Sequence, residues 1–141
     1  MIKKLLILFG VAIFAASCSE KLEKKVVSVY PNGTPMLVEY TKKVNNKDVV
    51  VKETRFYPNG EKSSEGEWTV DSKKTGTWTQ WYQNGEKWIE EQYENGQKNG
   101  SLIEWRENGK KLYEGEFKND KPSGTWKYYD EKGNKTNQEN Y

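Results

Sequence analysis

The stretch WYQNGEKWIEEQYENGQKNG, Trp81–Gly100, decides how this chain folds. Asn-Gly occurs in it three times, at Asn84-Gly85, Asn95-Gly96 and Asn99-Gly100, with aromatic residues set between. Asn and Gly both tolerate the positive φ that a two-residue hairpin turn demands, so Asn-Gly between apolar residues is a strong hairpin signal. Repeated at short intervals, it describes a chain that folds back on itself many times.

Counting outward from that stretch gives a repeat. The turn glycines Gly60, Gly85, Gly109 and Gly133 are spaced by 25, 24 and 24 residues. Eight residues after each stands an aromatic: Trp68, Tyr93, Phe117 and Tyr141. A second glycine series, Gly76, Gly100 and Gly124, is followed two residues on by Trp78, Leu102 and Trp126, and five residues on by Trp81, Trp105 and Tyr129. Glu65, Glu90 and Glu114 each lie five residues after a turn glycine. A fixed period in this range marks a repeat architecture. A looser unit precedes these at Gly33, with a longer turn expected at Asn45-Asn46-Lys47-Asp48, and NKTNQENY at the other end supplies half a unit.

Each unit holds two short strands rich in Thr, Trp and Tyr, and tight turns between strands of this length require antiparallel neighbours. No helical periodicity appears beyond the first residues. The expected fold is all-β: an elongated, twisted antiparallel meander sheet of nine or ten strands, built from two-strand repeats of ~24 residues. Pleating puts Trp78 and Tyr82 on one face and Trp81 on the other; Trp126 and Tyr128 share a face that Tyr129 opposes. The ladder Trp78, Leu102, Trp126 and the ladder Trp81, Trp105, Tyr129 therefore look opposite ways. Packing is the plainer role for both, and Gly66 and Gly115 leave room for a neighbouring ring. The sharper expectation is a recognition face made by Phe56, Trp81, Trp105 and Tyr129, since large aromatics with few rotors suit binding hot spots. Glu90, Glu114 and Arg106 sit beside that row. The glutamates read as a solvated column with cross-strand lysine partners.

The first 17 residues form a leader: Lys3 and Lys4, an apolar run from Leu5 to Ala16, then Ala15-Ala16-Ser17-Cys18. That last stretch resembles the lipobox of bacterial lipoproteins. The resemblance implies cleavage before Cys18, the chain's single cysteine, and a lipid on its thiol. The expected divisions are a signal peptide at 1–17, a tether at 18–25 and the repeat domain at 26–141. Ser19 stands where some inner-membrane lipoproteins carry Asp, which leans toward the outer membrane. Without Lys3 and Lys4 the cations fall from 23 to 21, equal to the 21 acidic residues. A neutral domain lacks the basic footprint of a nucleic-acid binder.

The residues GTWTQWYQNGEKWIEEQYENGQKNG (76–100) and GTWKYYDEKGNK (124–135) resemble the MORN-repeat family, and within it the bacterial variant labelled as an antitoxin-type repeat. The resemblance covers about Tyr30 to Tyr141. It implies a scaffold that binds a protein partner, or an antitoxin or immunity-type protein that neutralises a toxin by binding it; a glycan would also suit an aromatic face. No histidine is present, which excludes a Ser-His-Asp triad and histidine metal sites. No Gly-rich stretch has the P-loop form. No catalytic residue, metal site or cofactor is expected.

Overall fold

The computed structural model describes residues 22–141. The leader, Cys18 and Ser19 lie outside the described residues. Ten strands follow one another: β1 (Glu23–Val29), β2 (Pro35–Val44), β3 (Lys47–Phe56), β4 (Lys62–Trp68), β5 (Lys74–Trp81), β6 (Lys87–Glu94), β7 (Gln97–Trp105), β8 (Lys111–Lys118), β9 (Lys121–Tyr129) and β10 (Lys135–Asn140). They form one open sheet in sequence order, β1 to β10, and every pair is antiparallel. β1 begins at Glu23, so the strand takes up residues 23–25 of the expected tether.

The three Asn-Gly pairs of the opening stretch adopt three different structures. Asn95-Gly96 makes the expected two-residue turn, with φ of 50° and 88°. Asn45-Asn46 and Asn119-Asp120 make the same turn without a glycine, so the longer turn expected at Asn45–Asp48 is a two-residue one with β3 beginning at Lys47. Asn99-Gly100 lies inside β7. Asn84-Gly85 belongs to a longer loop, and here the sequence expectation needs correction. At Tyr57–Glu61, which shows the pattern, the Gly60 N–H donates to the Tyr57 carbonyl at 2.9 Å and the Tyr57 N–H to the Glu61 carbonyl at 2.8 Å. Three residues cross the gap, and only the glycine takes positive φ, 89°. This is a type I turn closed by a left-handed glycine, which suits Pro58 with its fixed negative φ. Gly33, Gly85, Gly109 and Gly133 repeat it with φ of 83°, 86°, 74° and 89°.

The asparagine of that loop serves through its side chain. Asn59 Oδ1 accepts the Glu61 N–H at 3.1 Å, and its Nδ2 donates to the Gln83 carbonyl in the next turn at 2.9 Å. Asn32 and Asn84 make the same two bonds, to the Pro58 and Glu107 carbonyls and from the Thr34 and Glu86 N–H groups. Asn108 continues the series to the Glu131 carbonyl. Turns one unit apart are thereby stitched into a rail along one edge of the sheet.

The second glycine series lies in bulges. Between Glu65↔Thr79 and Glu67↔Thr75, one residue of β4 faces three of β5, and Gly76 takes φ of 65° there. Gly124 repeats this between β8 and β9 with φ of 66°. The slack swings Trp78 and Trp126 across the facing strand. A Cβ on Gly66 would stand 2.1 Å from the Trp78 ring, and one on Gly115 2.3 Å from the Trp126 ring. Each indole N–H donates to a carbonyl of that strand, Glu67 at 3.0 Å and Glu116 at 3.2 Å.

Candidate interaction face

The register sorts the aromatic ladders onto two unequal faces. On the first, Trp78, Leu102 and Trp126 are 6%, 3% and 8% exposed. Trp68 and Tyr93 meet Trp78 edge-on, with ring centres 5.0 and 6.4 Å away. Tyr113, Phe117 and Tyr141 surround Trp126. Where the buried residue is Leu102 rather than tryptophan, the position matching Gly66 and Gly115 is Glu91. No indole lies over it, so a side chain fits. Its buried carboxylate is held by Lys98 and accepts the Tyr93 hydroxyl at 2.9 Å. Burial, with Glu91 beside it, pushes the Tyr93 phenol well above its ordinary range.

The second face carries the row expected from the sequence. Phe56, Trp81, Trp105 and Tyr129 are each half-buried. They pair across the strands with Lys62, Lys87, Lys111 and Lys135. Rings and ammonium groups thus alternate. Lys62 lies 5.5 Å from the Trp81 ring centre and Lys87 5.6 Å from that of Trp105, within cation–π range. The same lysines pair with the glutamate column: Lys62 with Glu65 at 3.0 Å, Lys87 with Glu90 at 2.5 Å and Lys111 with Glu114 at 2.5 Å. These lysines lie on the glutamates' own strands, not across from them as the sequence suggested. Cross-strand lysines join only at Glu65, with Lys52 at 3.4 Å, and at Glu114, with Lys127 at 3.4 Å. Glu114 is the most heavily bonded: Lys111 and the Tyr129 hydroxyl at 2.7 Å, with Lys127 at 3.4 Å, hold its carboxyl down to about 2.

The backbone of every residue in the row is pinned from the turn one unit earlier. Tyr30, Tyr57 and Tyr82 donate their hydroxyls to the carbonyls of Phe56, Trp81 and Trp105 at 2.9, 2.7 and 2.8 Å. Arg106, which takes the tyrosine's place in the next unit, donates Nη2 to the Tyr129 carbonyl at 3.1 Å. Its guanidinium is thus committed to the sheet. Sequence reasoning missed this tyrosine column, although Tyr30, Tyr57 and Tyr82 share one phase and the signal was there to read.

It also passed over Trp88, which is 40% exposed. Trp88 lies 5.9 Å from Tyr82, ring centre to ring centre, and its indole N–H donates to Glu104 at 3.3 Å. Glu104 belongs to the row of Ile89 and Tyr113, on the face of Trp78. Trp88 shares its phase with Met36, Ser63, Leu112 and Thr136, so a tryptophan there breaks the repeat.

Among the described residues, no group of three or more His, Cys, Asp or Glu side chains is placed to hold a metal ion. Comparison with curated proteins returned no match. Residues 74–95, 98–119 and 122–141 each match the family model described as the MORN repeat variant. Each match spans a strand, a glycine turn and the following strand, so β10 completes a hairpin with β9 and is not half a unit. From β5 to β10 the three successive hairpins of the sheet are thus each similar to the MORN repeat variant.

Proposed function

We propose that the protein is a lipid-anchored interaction module of the cell envelope, held in the outer membrane through Cys18, that presents the face of Phe56, Trp81, Trp105 and Tyr129 to a protein partner. MORN repeats are generally interaction modules, and the matched variant supplies that general role. The observation that carries the reading is the inequality of the two faces. Trp78, Leu102 and Trp126 are spent on packing, whereas the opposite row is only partly buried and sits on a backbone fixed at each residue. Fixed aromatics at regular spacing lose little entropy on binding. The interleaved ion pairs cancel in charge, which suits a mixed protein surface rather than a nucleic-acid backbone.

The test is capture from solubilised envelope with tagged protein and with Trp105→Ala. The variant should keep its melting temperature within a few degrees and lose the captured partner. A hot-spot aromatic costs about 2 kcal/mol or more of binding when truncated. Unchanged capture, or a collapse of stability in its place, overturns the face assignment. A captured toxin would make the module a neutralising one. Cys18→Ser should remove lipid labelling and release the protein from membranes; a wild-type chain without lipid label overturns the anchor.

A further inference from the structure

We infer that β1 is the docking edge for a second copy of this chain, joined strand to strand about a two-fold axis at Val26. The two ends of the sheet are finished differently. β10 is six residues long, polar throughout and exposed at every position. The inter-turn donor series also stops there: Asp130 replaces the tyrosine, and its carboxylate accepts the N–H groups of Lys132 and Asn134 within its own turn. A short, polar, charged edge strand is how a sheet is closed to further pairing. Among the described residues β1 pairs only with β2, and its side chains leave apolar surface in solvent. Val26, Val27 and Val29 are 47%, 45% and 55% exposed, with Leu22 and Met36 beside them at 39% and 37%.

That asymmetry selects the occupant. A β1-to-β1 junction buries the uncapped edge of both copies and leaves a polar β10 at each outer end, so the assembly closes at two. A β10-to-β1 junction would set valines against Asn and Gln side chains and leave one uncapped edge however many copies joined. Two-fold pairing is also antiparallel, as is every pair within the sheet. Charge keeps the axis C-terminal to Lys25. With the axis at Val26, Lys24 lies opposite Ser28 of the second copy and Lys25 opposite Val27 of the second copy. One residue toward the N-terminus, Lys25 would face itself. The junction leaves both faces of the sheet open, and so stands independently of the partner face proposed above.

The experiment uses the full chain with Cys18→Ser in nonionic detergent, so that only an introduced thiol can react. Adding Val26→Cys and oxidising mildly should convert most of the chain to a disulfide-linked dimer, while Gln138→Cys on β10 stays monomeric. Sedimentation of the Cys18→Ser chain should give twice the monomer mass. Val26→Lys should return it to one, with an unchanged far-UV spectrum showing that the sheet persists. A monomer at tens of micromolar overturns the proposal, whether the Val26→Cys thiol is reactive or shielded by the chain before Leu22. A cross-link between Val27→Cys and Gln138→Cys in a mixed sample means head-to-tail joining and also overturns it.

Discussion

Glu114 and Gly66 show how much a single position can carry in a thin sheet. Lys111 and Tyr129 hold the folded Glu114 carboxyl at about 2, against an ordinary value of 4.5. A lowered carboxylate pKa stabilises the fold fully above the ordinary value, and the contribution is lost as pH falls through the folded one. Glu114→Gln should therefore lower the melting temperature at pH 7, and the gap from wild type should close between pH 4.5 and about 2. A gap independent of pH would mean that the ion pairs of Glu114 contribute nothing. At Gly66 the constraint is steric. Gly66→Ala drives a methyl into the Trp78 ring, and overpacking of this kind costs about 1–3 kcal/mol. Gly115→Ala should behave alike against Trp126. Chemical denaturation reads both, and a neutral result at either position would mean that the indole swings aside freely.

At the scale of the element, the turn is the informative unit. Three-residue glycine loops line one edge and carry the asparagine rail. The other edge has two-residue turns, except at Thr69–Lys73, where a three-residue loop is closed by Ser72. On that second edge Asp120 Oδ1 accepts the Lys98 N–H at 2.8 Å. Asn84→Ala removes the bonds to the Glu107 carbonyl and the Glu86 N–H. Net hydrogen-bond contributions run at about 1 kcal/mol each, so the loss should approach 2 kcal/mol. Asn95→Ala, in the two-residue turn, breaks no bond to another turn and should cost less, chiefly the strain of positive φ. Gly85→Val should cost at least about 1 kcal/mol, because a β-branched residue resists its φ of 86°. Equal unfolding midpoints for Asn84→Ala and Asn95→Ala would remove the rail from the account of stability.

For the whole molecule, the meander makes stability a sum over neighbours. Among the described residues, nearly all contact between strands is between neighbours in the sheet. Nearest-neighbour coupling lets such chains gain or lose whole units. Deleting residues 98–121 removes β7 and β8 and brings Gln97 to Pro122 in phase. The shortened chain should fold, and its urea m value should fall by about one-fifth, since two of ten strands are gone and m follows the surface exposed on unfolding. A disordered product would show that the sheet needs its full length.

Much of this was legible in the chain itself, because local signals decide local structure. The spacing of Gly60, Gly85, Gly109 and Gly133, and the aromatics in phase with them, determined an all-β meander and assigned Trp78 and Trp81 to opposite faces. Pleating has a period of two whatever lies around it. Tertiary structure decided what those signals leave open. Asn-Gly alone does not say whether both residues or only the glycine take positive φ; Pro58 and the neighbouring turn settled that at Tyr57–Glu61. Opposite faces do not say which is the drier. Gly66 and Gly115 settled that, by admitting Trp78 and Trp126 to the backbone while lysine chains lie over Trp81 and Trp105. The two edges of the sheet likewise differ only once every inner strand has found its partners, because an edge is defined by what fails to pair.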